Sequence, residues 1–385
     1  MKTSNGVKIL MISTDRGLFD ENSEVRQRIV EYGNLTEEMH VIVFNRYKLG
    51  EAVGIDMISA SSKVFIYPTD SDSKLSYIFD AMKIAKKIIK THSHGLDLIT
   101  VQDPFEVGWA GHRISRKFKV PLHIQIHTDF LNPYFKKGSL LNKIRVLMAK
   151  FIIPKASCVR VVSERIKNSL VAKGYAPYFI KVLPIFVDTE KIKNMQINID
   201  LHKKYPQFDF IILMASRFTK EKNIGIAIEA IKEILKDYPK IGLIIVGAGT
   251  EEKNYALRVT RYGLRNNVII ESWNDDLISY YKTADLFLLT SNYEGYGRTI
   301  IEAAAAGCKI ISSKVGIAKD ILDSNSIFEV ENKKELKEKI IRAIKGEIMP
   351  PKLFIFQTKE EYLNDYKENW EMCGRFRHED LTSYS

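Results

Sequence analysis

At 385 residues the chain is longer than the roughly 100 to 200 residues that one ordinary core supports, so two domains are expected. With 45% apolar and 27% charged residues it is neither a disordered tail nor a membrane-embedded bundle. The formal net charge of +11 is unevenly placed. Between Leu131 and Lys181 the cations Lys136, Lys137, Lys143, Arg145, Lys150, Lys155, Arg160, Arg165, Lys167, Lys173 and Lys181 face a single acid, Glu164. Such a field suits an anionic partner (a lipid surface, a phosphorylated acceptor or nucleic acid) or is a solvated basic face.

The polar start, Met1 to Gly6, runs directly into a strand-like segment and has no signal-peptide apolar region, and no apolar run reaches the ~18 residues of a membrane span. Cys158, Cys308 and Cys373 are dispersed, with no partner at metal or redox spacing, and are expected to be reduced structural thiols in the cytosol.

Short β-branched runs then alternate with helical patterns, the signature of parallel sheets with crossover helices. The predicted strands of the first half are 7–12, 40–44, 63–67, 96–101, 122–126, 157–162 and 180–184, with helices clearest over 77–90 and 164–173. Across 139–153, Leu140, Leu141, Ile144, Leu147, Met148 and Phe151 share one helical face, bordered by Lys136, Lys143 and Lys150 on one side and Arg145 on the other. That face either packs on its own sheet or lies on an anionic bilayer with its lysines reaching headgroups.

After Phe186-Val187-Asp188 the pattern weakens to Asp200 and restarts at Phe208, which sets expected domains of 1–187 and 188–358. Strands recur at 208–215, 241–246, 267–271, 285–289 and 309–312, with helices near 225–236, 252–262 and 302–306. A last helical stretch, 360–372, carries Tyr362, Leu363, Tyr366 and Trp370; with the tail to 385 it is expected to cross back towards the first domain and pack across both. The predicted fold is α/β with two Rossmann-like domains facing a central cleft, where ligands bind at the carboxyl ends of the strands.

Chemistry concentrates at one such end. The strand Asp285 to Leu289 delivers the loop Asn292-Tyr293-Glu294-Gly295-Tyr296-Gly297, and a helix follows at once. The glycines admit close backbone approach, and the amides of Gly297, Arg298 and Thr299 face an anion as helix N-termini do. Glu294 and Glu302 then accept from hydroxyls on either side of a diphosphate. A second cluster, Ala215 to Asn223, places Arg217 and Lys222 in a strand-end loop, where two cations neutralise a departing diphosphate in place of a metal. Asn223 is expected to cap the next helix.

The run Glu294-Gly295-Tyr296-Gly297-Arg298-Thr299-Ile300-Ile301-Glu302 resembles the family-4 retaining glycosyltransferases of the GT-B fold, whose pattern is Glu-Gly-aromatic-Gly with a second Glu after seven intervening residues. The resemblance implies that Glu294 contacts the donor hexose, that Glu302 contacts the ribose, and that Arg217 and Lys222 hold the diphosphate. It puts the Gly247 turn near the nucleotide and His127 near the transferred sugar. Arg298 departs from the apolar residue usual there and is a further phosphate or acceptor contact. Trp273 and Asn274 stand where relatives line the base pocket, or else pack. Asp103 is an acceptor candidate and equally a helix N-cap before Pro104. Where relatives carry a Gly-Gly pair after the first strand, this chain has Arg16-Gly17, which assigns Gly17 to the phosphate side and Arg16 to an anionic acceptor.

The expected reaction moves a hexosyl unit from a UDP- or GDP-sugar to a hydroxyl on a glycan or lipid-linked acceptor, with retention and with no metal or further cofactor. The expected location is the cytoplasm, with the inner face of the membrane as a second site. Two other readings compete: a nucleotide-sugar epimerase or hydrolase on the same fold, and a non-catalytic scaffold for nucleotide sugars or polyanions. A nucleic-acid partner has no RNA-reading motif to support it.

Overall fold

The computed structural model describes residues 6–46, 57–92, 95–351 and 357–375. The chain divides into two compact units. The first gathers the described residues up to Leu131, then Ser139–Pro184 and the segment from Lys359; the second comprises Asn132–Gly138 and Ile185–Thr358. Residues 132–138, which the sequence reading leaves in the first domain, are thus grouped with the second unit.

The first unit is built on eight strands: β1 (Lys8–Ser13), β2 (Glu38–Val43), β3 (Ile58–Ser59), β4 (Val64–Pro68), β5 (Leu98–Val101), β6 (Leu122–Ile126), β7 (Cys158–Val161) and β8 (Ile180–Val182). Their order in the sheet is β3-β4-β2-β1-β5-β6-β7-β8, parallel throughout except for the short β3. The direction of winding reverses between β1 and β5, so the loops after these two strands open at the switch point. The second unit has six parallel strands, β9 (Phe210–Ala215), β10 (Ile241–Val246), β11 (Val268–Glu271), β12 (Leu286–Leu289), β13 (Ile310–Ser313) and β14 (Ile327–Phe328), in the order β11-β10-β9-β12-β13-β14. Its switch point lies between β9 and β12.

These runs become strands because both faces of each sheet are covered. On β9, Ile212 and Met214 join a core layer with Ile228, Ile231 and Leu243. The alternate residues Ile211, Leu213 and Ala215 join another with Phe287, Ile300 and Ala303. Side chains of a strand alternate between faces, so a continuous apolar run serves a sheet with helices on both sides.

The helix Lys359–Arg375 completes the core of the first unit. Tyr362, Tyr366, Trp370 and Cys373 are its buried apolar face. Tyr366 stacks on Tyr32 with centroids 4.5 Å apart, and Trp370 meets Tyr366 edge-on at 4.6 Å. Within that core lies Arg160 of β7, only 3% exposed. Its guanidinium donates to Gln125 Oε1 (2.6 Å), the carbonyls of Leu183 (3.1 Å) and Pro184 (2.9 Å), and the hydroxyls of Tyr366 (3.0 Å) and Tyr362 (3.3 Å). No carboxylate is among these partners; neutral oxygens carry the whole solvation of a buried cation, which is tolerable only when its N–H groups are satisfied.

One expectation is corrected here, and one pair of alternatives is narrowed. Cys158 and Cys373 are not separate thiols: their sulfurs are joined as a disulfide, with Cα atoms 5.8 Å apart and 215 residues between them in sequence. No spacing signal could carry that pairing, because only the return of the last helix onto β7 creates it. Cys308 is free and buried, and burial pushes its thiol up to about 12. The apolar face of helix Leu140–Ile152 is also not core. Val146, Ala149 and Ile152 are buried, whereas Leu140 (73% exposed), Leu141, Ile144, Leu147 (67%) and Phe151 face solvent. Among the described residues no helix is long and apolar enough to cross a membrane.

Candidate active site

The donor-side candidates converge at the carboxyl ends of β9, β10 and β12. The loop after β9 and the loop after β12 are tied together by main-chain and side-chain bonds. Asn292 N donates to Glu221 O at 2.7 Å, and Thr290 Oγ1 donates to the carbonyls of Lys222 (2.9 Å) and Asn223 (3.1 Å). Across this seam Lys222 Nζ donates to Glu294 Oε1 at 2.5 Å, and Ser291 Oγ donates to the same oxygen at 2.7 Å. Both partners of the ion pair keep 15% side-chain exposure, so pair and solvent remain in contact. A partly buried, charge-assisted bond of this kind fixes the carboxylate more firmly than a surface pair.

Asn223 stands at the start of helix Ile224–Ile234 in the left-handed region (φ +45°), but its side chain makes no capping bond. It donates instead to Asn292 Oδ1 at 3.0 Å, so the expected cap is a cross-link between the two loops.

Helix Arg298–Ala305 begins directly after the loop, four residues ahead of the predicted 302–306, with Gly297 at its cap in the left-handed region (φ +96°). Gly295, Tyr296 and Gly297 are buried beneath the turn, while Thr299 is partly exposed. Glu302 comes one turn in, where Arg298 Nε donates to its Oε1 at 2.6 Å and the Tyr281 hydroxyl to its Oε2 at 3.4 Å. Arg298, expected to reach a ligand, is paired with the second glutamate and keeps 48% side-chain exposure. Arg217 is exposed on the β9 loop.

Gly247 has φ +152°, and a Cβ there would lie 1.9 Å from Ser216 O; the turn after β10 is pressed against the β9 loop. Gly316, which sequence reasoning passed over, does the same for the glutamate loop. It has φ +50°, and a Cβ would stand 2.1 Å from Tyr296 O and 3.2 Å from Glu294 Cβ. Ile317 N donates to Tyr296 O at 2.8 Å beside it. The usable signal was a glycine three residues past a buried strand. Ser291, Thr290 and Tyr281 were also missed, since isolated hydroxyls carry no spacing.

The first-unit candidates lie at carboxyl ends of their own sheet. His127 follows β6, and its imidazole is held neutral: burial, then the charges of Arg160 and Arg28, lower its pKa to about 3. Asp103 follows β5 but does not cap the helix that follows. That helix is Glu106–Phe118 with Phe105 at its cap position, while Asp103 Oδ1 accepts from Phe105 N at 2.7 Å. Burial raises the Asp103 carboxyl to about 6. In the loop after β1, the Gly17 amide is taken by Asp15 Oδ1 at 3.0 Å, and Arg16 donates to the Tyr77 hydroxyl at 3.4 Å. Trp273, after β11, is 57% exposed.

Two doubly wound units with a cation–carboxylate seam at the strand ends of the second define the class: a GT-B glycosyltransferase. The family model "Glycosyl transferases group 1" matches residues 199–360, and "Glycosyltransferase Family 4" matches 35–191. The chain belongs to the family-4, group-1 glycosyltransferases.

Among relatives, it is 26% identical to alpha-monoglucosyldiacylglycerol synthase of Streptococcus pneumoniae over 60% of this chain and 54% of the relative, about half of that protein's length. It is 25% identical to an uncharacterized glycosyltransferase of Methanocaldococcus jannaschii over 87% of each chain. The fold matches HepE of Anabaena, solved with UDP and glucose, at TM-score 0.67 with 19% identity over 98% of this chain and 97% of that one. It also matches sucrose-phosphate synthase of Thermosynechococcus elongatus at TM-score 0.68 with 18% identity over 98% and 96%.

Proposed function

We propose that this enzyme transfers a hexosyl unit from a UDP- or GDP-sugar to a hydroxyl of a lipid-linked or cell-envelope glycan acceptor, with retention at the anomeric carbon. The observation that carries the reading is the seam in which Lys222 and Ser291 both hold Glu294 Oε1. It sets a cation and a sugar-binding carboxylate side by side at the switch point of a parallel sheet, where ligands of such sheets bind. In this reading Glu294 takes the donor hexose and Glu302 the ribose. Arg217, Lys222 and the amides after Gly297 neutralise the departing diphosphate as its charge develops, which is the task a metal performs in other transferases. The turns at Gly247 and Gly295 admit the nucleotide closely. His127, as a neutral imidazole, is assigned to hydrogen-bond a sugar hydroxyl. Asp103 and Arg16 are assigned to the acceptor. Gly17 keeps a donor-side role only through the close approach it allows, since its amide is already engaged.

The relatives support the acceptor class and the stereochemistry. The names of the pneumococcal synthase and of the Bacillus subtilis poly(glycerol-phosphate) alpha-glucosyltransferase both specify alpha products, which from an α-linked nucleoside diphosphate sugar means retention. A thermal-shift screen against UDP- and GDP-sugars tests the donor side. One donor is expected to stabilise the wild type, by about 2.7 kcal/mol at a hundred times its Kd, and Glu302→Ala and Arg217→Ala are expected to lose most of that response. No response in the wild type, or equal response in the variants, overturns the reading.

The exposed face of helix Leu140–Ile152 further supports peripheral contact with an anionic membrane. Leu140, Leu147 and Phe151 would enter the headgroup boundary while the exposed Lys143 and Lys150 meet lipid charge. Sedimentation with vesicles should show binding to phosphatidylglycerol and not to phosphatidylcholine alone, lost in a Leu140→Ser/Leu147→Ser double variant. Equal sedimentation of wild type and variant would sink this contact.

A further inference from the structure

At the end of the first sheet opposite its candidate loops, two imidazoles and one carboxylate close on a common point. Glu38 and His40 alternate at the amino end of β2 and so project from the same face, and His92 directly follows helix Tyr77–Thr91. One ligand atom from each lies within 4.8 Å of the other two.

The hydrogen bonds around the cluster leave its charges unresolved. His92 Nδ1 is 2.7 Å from Ile88 O, a carbonyl that only accepts, so Nδ1 carries its proton. His92 Nε2 is then 2.9 Å from Glu38 Oε2, and a neutral ring would aim a lone pair at a carboxylate. His40 Nδ1 is 3.0 Å from the Tyr67 hydroxyl, and His40 Nε2, 3.7 Å from Glu38 Oε1, is buried with no hydrogen-bond partner. Protonating His92 would mend its contact with Glu38 but leave His40 Nε2 orphaned. A divalent cation between the three satisfies both imidazole lone pairs and the carboxylate together.

Distances and surroundings suit such an ion. Donors around a tetrahedral zinc with bonds of about 2.0–2.1 Å are spaced by roughly 3.3 Å; the two carboxylate oxygens of Glu38 lie 2.9 Å from His92 Nε2 and 3.7 Å from His40 Nε2, and one donor from each residue lies within 4.8 Å of the others, a spread that small side-chain shifts close. The Ile88 carbonyl and the Tyr67 hydroxyl fix each ring by its far nitrogen, the arrangement that orients metal-bound histidines. Phe65 stacks on His40 at 5.5 Å and walls one side. Glu38 and His92 keep 26% and 14% side-chain exposure, which leaves an entry path and room for a water as fourth ligand. The nearest facing cation, Lys8, is engaged by Glu37 at 3.1 Å. The other three-ligand cluster among the described residues, His123 with Cys158 and Cys373, has both sulfurs committed to the disulfide.

We propose that Glu38, His40 and His92 bind one divalent transition-metal ion of the zinc class, a clip that fastens the end of helix Tyr77–Thr91 to the amino end of β2. Two imidazoles and a carboxylate are the donor set such ions prefer over magnesium or calcium.

The test is titration of the full, tag-free chain, stripped with EDTA, with Zn²⁺ and with Co²⁺ as a visible probe at pH 7.5. One equivalent is expected to bind with a Kd of about 10 µM or tighter, with d–d absorption from Co²⁺ and a raised unfolding temperature. Glu38→Gln and His92→Ala, both at partly exposed positions, should weaken binding about 10- to 100-fold with unchanged circular dichroism. His40→Ala should do the same if it folds; if it does not, the other two variants decide. Absence of saturable binding, or binding in Glu38→Gln and His92→Ala as tight as in the wild type, overturns the site. So does an NMR titration of wild type with one equivalent of Zn²⁺ in which the ring resonances of His92 do not move.

Discussion

The strand-end loops of the second unit and the strand-end residues of the first are organised in opposite ways. In the second, the working groups come from two short contiguous stretches, Arg217 to Asn223 and Asn292 to Glu302, which follow the neighbouring strands β9 and β12 and are bonded directly to one another. In the first, the state of a single histidine depends on a distant frame. His127 is kept neutral by burial and by Arg160, and Arg160 is itself held by Tyr362 and Tyr366 from the last helix. Working groups gathered in short stretches make a motif that survives as text. Long-range support makes a site whose chemistry no local stretch reveals.

The difference can be broken from either side. Arg160→Met has the largest expected effect: it leaves the Leu183 and Pro184 carbonyls without this donor and takes one donor from Gln125 Oε1, which keeps the Tyr366 hydroxyl, and should cost about 3 kcal/mol in urea unfolding. It should leave the donor-induced thermal shift of the second unit in place; loss of that shift would erase the distinction.

The same variant reads out pH. In the folded chain His123 and His127 titrate near 3, lowered by burial first and Arg160 second, against an ordinary 6.5. The unfolded chain therefore takes up these protons first. Their contribution to stability is intact above pH 6.5 and drains away as pH falls towards 3. With Arg160 gone both folded values should rise and the window should narrow, as NMR titration of the two rings would record. Unchanged values would show that Arg160 does not help to set them.

A smaller effect is expected from Gly316→Ala. A Cβ at φ +50° against Tyr296 O should cost about 2 kcal/mol and displace the Glu294 loop, so the donor response should fall while the histidine titrations stay as they are. Retention of the full donor response would mean that the loop is not held by this contact.

Much of this was legible in the sequence, for identifiable reasons. β6 and β10 appear over the predicted residues because their apolar runs are buried on both faces. β3 and β14, at two residues each, are too short to show alternation. Glu294, Glu302, Arg217 and Lys222 stood out because their spacing is local. The cross-link from Asn223 and the disulfide were not legible, since each depends on which partner the fold brings near; the bracing of Glu302 by Arg298 is an i,i+4 pair that was missed because the helix was expected to start at 302 rather than at Arg298. The face of helix Leu140–Ile152 was ambiguous for a different reason: periodicity gives an apolar stripe without saying what covers it. Here the buried stripe is Val146, Ala149 and Ile152, and the stripe that stood out in the sequence is the exposed one.

The return of helix Lys359–Arg375 also has a consequence for biogenesis. Domains emerging from the ribosome usually close in the order in which they are made. Here the first unit is made first, yet the tyrosines that solvate Arg160, the partner sulfur of Cys158 and the fully buried Trp370 are all translated after the second unit is complete. A nascent chain that has reached residue 358 holds a finished second unit beside an unfinished first, with a bare cation in its half-built core. Of the two units, the one made earlier is the one that must wait longer for its own interior.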